Sequence, residues 1–162
     1  MKDKLHPIIL IFTGLLLIQI TLVPFITVEF VGPDLLLILL CYYSIKYGHT
    51  YGALAGFIMG AIFDLASGGA LGSMMFAKTL SGFLAGYFCD ENKFKERTFT
   101  LTFSIIIFGI AIVDSFIFTL LSSTTANISL INLLFRHNIL SALFTAAVSL
   151  PLILITRDKK LV

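Results

Sequence analysis

Long apolar stretches alternate with short polar or glycine-rich segments along the chain. A helix needs about 20 mostly apolar residues to cross the roughly 30 Å hydrocarbon core of a bilayer, so each stretch is a candidate transmembrane helix. The pattern predicts an all-α fold, an integral membrane bundle of six transmembrane helices, with residues 1–162 forming a single polytopic domain. The predicted spans cover residues 8–28, 33–47, 51–66, 72–89, 98–121 and 138–156.

The ends of these spans carry further signals. No small-residue cleavage site follows the first apolar stretch, so we expect a retained helix and not a signal peptide. The second span is expected to open at Pro33 and Asp34, because proline suits the first helical turn and the helix dipole favours a carboxylate there. In segment 128–136, four apolar residues fall on one helical face: Ile128, Ile131, Leu134 and Phe135. This predicts a short interfacial helix between helices five and six, or else an early start of span six.

The composition indicates a lipid environment. Hydrophobic residues make up 58% of the chain and charged residues 12%, against about 45–50% and about 25% in a soluble domain. A chain with so few charges cannot cover a globule with a wettable surface, and its net charge of +2 offers no field for binding phosphates. These values exclude an ordinary cytosolic enzyme, a disordered regulator and a nucleic-acid binder. Two cysteines and three dispersed histidines predict neither a disulfide framework nor a metal site.

The basic residues indicate the orientation of the bundle. Lysine and arginine are enriched in cytoplasmic loops, and placing both termini in the cytoplasm puts nine of the 11 basic residues on that side. Arg136 then lies near the outer side, and Lys78 lies within a span. The nine inner residues are Lys2, Lys4, Lys46, Lys93, Lys95, Arg97, Arg157, Lys159 and Lys160.

Glycines recur every four positions along the third and fourth spans. Residues i and i+4 share a helical face, so such a stripe lets two helix backbones approach closely within lipid. We therefore expect these glycines to serve helix packing, either between the two spans or against another helix. They are Gly52, Gly56, Gly60, Gly68 and Gly72 along and after the third span, and Gly82 and Gly86 on the fourth.

Three ionisable residues, Asp64, Lys78 and Asp114, lie in or beside the apolar spans. At mid-membrane each costs about 2.5–3.5 kcal/mol on insertion scales, so each needs a partner. Asp64 lies near the outer end of its helix, where the dipole disfavours a carboxylate; a cation, water or the backbone amides of the turn 67–72 are its candidate partners. Lys78 is expected to face the interior and form a buried ion pair, with Asp114 favoured by depth and Asp64 by proximity in sequence. Such a pair could line an outward polar cavity or could simply fix the helix register.

No catalytic motif accompanies these residues. The sequence contains no H-E-x-x-H, no G-x-S-x-G and no phosphate-binding glycine loop. Asp64 and Asp114 are the candidates for an intramembrane aspartyl protease, and Lys78 between them would prevent the sharing of a proton. The sequence predicts a protein that is not an enzyme and that uses no metal and no cofactor.

The stretch from Pro33 to Gly72 resembles a known family. It begins Pro-Asp-Leu-Leu-Leu-Ile, continues with a glycine ladder, and runs through Asp64-Leu-x-Ser-Gly to Gly72. This pattern resembles MreD, the small multi-pass protein of the bacterial rod-shape machinery. The resemblance implies a family core that shapes the bundle and its outer pocket, made of Pro33, Asp34, Gly56, Gly60, Asp64, Gly68 and Gly72.

The resemblance implies a non-enzymatic scaffold of the cell-wall elongation machinery, acting in the regulation of peptidoglycan synthesis. Its location would be the bacterial cytoplasmic (inner) membrane, with both termini in the cytoplasm. Its partners would be the lipid bilayer, the bitopic protein MreC and, through MreC, the MreB filament, the SEDS glycan polymerase and the elongation penicillin-binding protein, with no nucleic acid. The bundle is also similar to the substrate-binding component of energy-coupling-factor transporters, which makes a vitamin or small-molecule transporter component the alternative. Against the alternative, the chain has no tryptophan and a plain Ser-Gly-Gly-Ala turn.

Overall fold

The structure is a computed structural model, and it describes residues 5–26, 32–68, 71–89, 101–122 and 138–151. In these ranges every regular element is a helix and none is a strand. The predicted all-α class is therefore confirmed for the described residues. The helices are α1 (Leu5–Thr21), α2 (Val23–Ile26), α3 (Leu35–Tyr47), α4 (His49–Ser67), α5 (Ser73–Gly86), α6 (Leu101–Ser122) and α7 (Asn138–Pro151).

Two of these helices are long and apolar enough to cross a membrane: α4 with 19 residues and α6 with 22. Helices α1, α3 and α7 are also apolar but shorter. The 13 residues of α3 span about 20 Å at a rise of about 1.5 Å per residue. A bundle that crosses the membrane six times stays a prediction.

The first predicted span is interrupted in the structure. Helix α1 ends at Thr21, and the four-residue α2 follows after Leu22. The cause lies in Pro24, which has no N–H to donate to the carbonyl one turn earlier. The predicted interfacial helix at 128–136 lies outside the described residues.

Pro33 lies outside α3 and not in its first turn, which corrects the predicted start of the second span. Asp34 is the N-cap residue, and its Oδ1 accepts a hydrogen bond from the backbone N–H of Leu37 at 2.9 Å. A carboxylate at this position satisfies an amide that has no partner within the helix. The helix itself therefore starts at Leu35.

Helix α3 lies at the centre of the bundle, in contact with α1, α4, α5 and α6. The exterior is apolar, as shown by Leu65 and Leu71, which are 73% and 75% exposed. Polar side chains are buried instead, an arrangement that suits surroundings of lipid. The buried polar residues are Ser44, Asp64, Ser73, Lys78, Ser81, Ser104, Asp114, Asn138, Thr145 and Ser149.

Hydrogen bonds between distant segments assemble one end of the bundle. Gln19, near the end of α1, donates from Nε2 to the carbonyl of Pro33 at 3.1 Å and accepts from the N–H of Leu35 at 3.0 Å. Thr145 of α7 accepts from the N–H of Asp34 at 3.0 Å. These bonds bring the end of α1, the start of α3 and the middle of α7 together, beside the candidate site.

Candidate functional site

Lys78 lies inside the bundle between two carboxylates. Its Nζ is 2.5 Å from Oδ2 of Asp34, at the start of α3, and 2.5 Å from Oδ2 of Asp114, on α6. Lys78 is 2% exposed and Asp114 is 4% exposed, so this contact is shielded from the surroundings. We call Asp34, Lys78 and Asp114 the ion cluster.

The sequence leaves Asp64 and Asp114 open as partners of Lys78. The structure pairs Lys78 with Asp114, the residue at matching depth. It also adds Asp34, which the sequence analysis places at a helix start and in the family core but does not consider as a partner of Lys78. The missed signal is the length of the lysine side chain, whose apolar stem lets the ammonium group reach a carboxylate well beyond its own Cα.

The ion cluster holds two carboxylates and one ammonium group, which leaves one negative charge uncompensated by its own members when all three are ionised. Neutral donors complete the contacts. Ser81 on α5 donates from Oγ to Oδ1 of Asp114 at 2.8 Å, and the capping bond from Leu37 reaches Oδ1 of Asp34. Each of the four carboxylate oxygens therefore accepts one hydrogen bond, and each has a second lone pair available.

A cavity of about 370 Å³ lies beside the ion cluster. Helices α1 and α6 contribute residues near their C-terminal ends, and α3, α5 and α7 contribute residues near their N-terminal ends. We call it the bundle-end cavity. Its lining consists of Gln19, Val23, Gly32, Asp34, Leu37, Met74, Ala111, Asp114, Ser115, Phe118, Thr119, Asn138, Ser141 and Thr145.

Asp64 serves a different purpose from the ion cluster. Its Oδ2 accepts hydrogen bonds from the N–H groups of Gly72 at 2.9 Å and Met75 at 3.1 Å, and its Oδ1 accepts from that of Met74 at 3.3 Å. The carboxylate, 3% exposed, thus caps the N-terminus of α5 from the last turns of α4. The positive end of the α5 dipole offsets its charge. Of the partners considered from the sequence, backbone amides are the ones that the structure provides.

The glycines of α4 and α5 bring the two helix backbones into contact. A Cβ atom added at Gly52 would overlap the backbone carbonyl of Gly82, and one at Gly56 would overlap that of Lys78. Positions later in α4 meet positions earlier in α5, so the helices run antiparallel. Gly60 likewise lies against the backbone of Met75, and Gly86 lies against that of His49. We call this contact the glycine seam; it holds the backbone of Lys78 directly against α4.

Gly68 and Gly72 do not belong to the glycine seam, which corrects the expectation that they pack against a helix. Both have positive φ, 66° and 98°, the left-handed conformation that glycine adopts at little cost. Among the described residues, no atom lies within 4 Å of a Cβ added at either position. The four-residue spacing of glycines continues past the end of α4 only by coincidence. Gly68 and Gly72 serve the reversal of the chain between α4 and α5 and not the packing of helices.

The site also contains residues that sequence reasoning did not select. Gln19, Asn138 and Thr145 are polar residues in or at the edge of apolar stretches, and each lines the bundle-end cavity. For Gln19 and Asn138, a position next to a helix end was the available signal, whereas Thr145 lies in the middle of α7. Within the described ranges, no group of three His, Cys, Asp or Glu side chains is arranged to hold a metal ion. The site offers hydrogen bonds, charge and a partly apolar wall.

The fold and the site together define a membrane-associated bundle that is helical in its described residues and buries three charged side chains, Asp64, Lys78 and Asp114. The chain belongs to the MreD family: the family model described as rod shape-determining protein MreD matches residues 2–159. The resemblance drawn from the stretch Pro33 to Gly72 is thereby confirmed. This is a structural family with a role in rod-shape determination. Comparison with curated proteins and with solved structures gives no significant match.

Proposed function

We propose that this protein is a multi-pass, non-enzymatic scaffold of the bacterial cell-wall elongation machinery. It binds MreC in the inner membrane and, through MreC, positions MreB, the SEDS glycan polymerase and the elongation penicillin-binding protein. The observation that carries the proposal is the family match across residues 2–159, which includes every predicted span.

The distribution of charge supports a scaffold. Lys78 is engaged by two carboxylates and Asp64 by three backbone amides, so these groups hold helices together. The exterior of α4 offers large apolar side chains, including Leu54 and Leu65, which are 60% and 73% exposed. Such a surface suits contact with lipid or with the single helix of a bitopic partner.

Lys46 supports an orientation with the bundle-end cavity outside, and the tyrosines near it mark that end of the bundle as a membrane interface. All five tyrosines of the chain lie towards the end opposite the cavity, where α3 and α5 finish and α4 begins. There Lys46 Nζ lies 5.2 Å from the centroid of the Tyr47 ring. Tyrosine is enriched at membrane interfaces and lysine on the cytoplasmic side. The five are Tyr42, Tyr43, Tyr47, Tyr51 and Tyr87.

The bundle-end cavity favours one competing function, the substrate-binding component of an energy-coupling-factor transporter. Its volume of about 370 Å³ falls in the usual range of small-molecule sites, about 300–1,000 Å³. In that case the partners would be a large coupling subunit and ATPases instead of MreC.

Crosslinking in native membranes separates these functions. A photo-crosslinking amino acid placed at Leu54 or Leu65, on the exposed face of α4, is expected to capture MreC. The matched control is the same amino acid at Leu36, which is 2% exposed and faces the core. Recovery of MreC from the exposed positions supports the scaffold. Recovery of an ATPase with a coupling subunit, or no capture of MreC from any exposed helix face, contradicts it.

A further inference from the structure

The bundle-end cavity lies next to the ion cluster, whose two carboxylates and one ammonium group leave a surplus negative charge when all three are ionised. Asp34 and Asp114 both line it, whereas Lys78 binds them from the side of α5. In a medium of low dielectric constant, a surplus negative charge needs a compensating cation or proton. A cation that enters the cavity can reach the carboxylate oxygens, which have unused lone pairs.

Asn138 supplies a second, independent feature. It lines the same cavity and is 8% exposed, and its Oδ1 accepts a hydrogen bond from Oγ1 of Thr119 at 3.1 Å. Its Nδ2 group has no acceptor among the described residues. Buried amide donors in proteins are normally satisfied. A ligand that supplies an oxygen atom would satisfy it.

The remaining walls limit the size and character of the ligand. Val23, Leu37, Met74 and Phe118 are apolar and line the cavity together with the hydroxyl-bearing Ser115. A volume of about 370 Å³ admits a small molecule or a lipid headgroup. The apolar walls suit the methylene groups that such a ligand carries.

We propose that the bundle-end cavity binds a ligand with a primary ammonium group and a nearby oxygen acceptor, as in ethanolamine or an ethanolamine phosphate headgroup. The ammonium group lies against Asp34 and Asp114, and the oxygen accepts from Asn138. A primary ammonium fits better than a quaternary one, because it has three N–H donors for the carboxylates. The ligand neutralises the ion cluster, and its source is either a membrane lipid or a free amine.

The test compares lipids and free amine on the full chain. The protein is reconstituted in nanodiscs with equal amounts of phosphatidylethanolamine, phosphatidylcholine and phosphatidylglycerol, and retained lipid is measured by native mass spectrometry. In parallel, the rise of Tm with free ethanolamine is measured in detergent. Retention of phosphatidylethanolamine identifies the lipid as the source, and stabilisation by ethanolamine identifies the free amine.

The variant Asp34→Asn tests the role of charge. Asparagine is as good an N-cap as aspartate, but its one amide oxygen accepts either from Leu37 or from Lys78 and not from both, while the cluster becomes neutral. We expect ammonium binding to fall about tenfold or more, since a unit charge at close range is removed. Asn138→Leu, which removes the oxygen-binding amide, is a second variant that should also weaken binding. Ser104→Ala is the matched control, because Ser104 bonds to Ala146 and Ser149 and does not line the cavity.

Two results overturn the proposal. One is a wild-type protein that prefers no ethanolamine lipid and gains no stability from ethanolamine. The other is that Asp34→Asn and Asn138→Leu bind the ligand as strongly as the control Ser104→Ala does. This result would indicate that the ligand lies elsewhere. If Asp34→Asn does not fold, the comparison of Asn138→Leu with Ser104→Ala decides the question alone.

Discussion

The charge of Lys78 is buried within the bundle. The fold tolerates this buried charge because two carboxylates lie next to it. An isolated lysine at the centre of a membrane costs about 2.5–3.5 kcal/mol on insertion scales. Contacts of 2.5 Å to Asp34 and to Asp114 offset that cost. Removing one member of a buried pair is more damaging than replacing the whole pair, because the charge left behind has no partner.

Lys78→Met is expected to lower the free energy of unfolding by about 3–5 kcal/mol, because it leaves two carboxylates facing each other. Denaturant unfolding in detergent micelles measures the change. Thr79→Val on the same helix is the control, since Thr79 bonds only to the carbonyl of Met75; it should cost less than about 1 kcal/mol.

Combining Lys78→Met with Asp114→Asn should restore a large part of the lost stability, since the net charge of the cluster returns from −2 to −1. A double variant whose loss equals the sum of the two single losses would show that the side chains do not interact.

The sequence predicted the ion cluster in part: it indicated a buried partner for Lys78 but identified only one of the two carboxylates. The cost of burying charge was enough to predict that Lys78 needs an anion, and depth along the helices favoured Asp114. Asp34 was missed because it is 44 residues away from Lys78 in sequence and had an adequate local role as a helix cap. Pairing between helices depends on how α3 and α5 are rotated about their axes, which a single sequence does not specify.

At the scale of helices, the glycine seam sets the distance between α4 and α5. Hydrophobic burial gives no drive for helix association in lipid, so close backbone packing has to supply it. Asp64 strengthens the same pair at its turn by capping α5. The hairpin of α4 and α5 is therefore held along its length by packing and at one end by hydrogen bonds.

Gly56→Ala is expected to lower the free energy of unfolding by about 1–3 kcal/mol, because the added methyl group overlaps the carbonyl of Lys78 and forces the helices apart. Gly109→Ala on α6 is the matched control. No atom lies within 4 Å of its added Cβ, so the better helix propensity of alanine should leave stability equal or higher by up to about 1 kcal/mol. Equal losses for both variants would contradict a close approach of α4 and α5.

The spacing of glycines predicted this hairpin only in part. Repetition every four residues indicates a flat face, and that was correct for Gly52, Gly56 and Gly60. The glycine spacing could not identify the partner helix, because a face of small residues can pack against any of several helices. It also extended the face to Gly68 and Gly72, since the spacing alone contains no information on where the helix ends.

At the scale of the whole molecule, an apolar exterior surrounds a largely apolar core whose buried polar groups include the ion cluster near one end of the bundle. Helices α4 and α6 are long enough to span a bilayer, and shorter helices such as α3 accompany them. The predicted orientation follows from the basic residues, among them Lys46 at the end opposite the bundle-end cavity. Length and hydropathy predicted the helical class of the described residues, and the six spans stay a prediction. The cavity arises from the way helices meet, which depends on tertiary contacts such as Gln19 with Pro33.

In the proposed arrangement the bundle crosses the membrane with its cavity outside and its basic end in the cytoplasm. Labelling of single cysteines with a membrane-impermeant maleimide tests this most directly. Leu71, 75% exposed in the turn between α4 and α5, lies at the cavity end, and Cys89 follows α5 at the other end. The buried Cys41 is replaced by alanine in both proteins, and Cys89 by serine in the Leu71→Cys protein.

We predict that Leu71→Cys reacts in right-side-out spheroplasts and is protected in inverted vesicles, whereas Cys89 reacts only in inverted vesicles. Reaction of both cysteines from the same side of the membrane, or Leu71→Cys reacting only in inverted vesicles, would contradict the account.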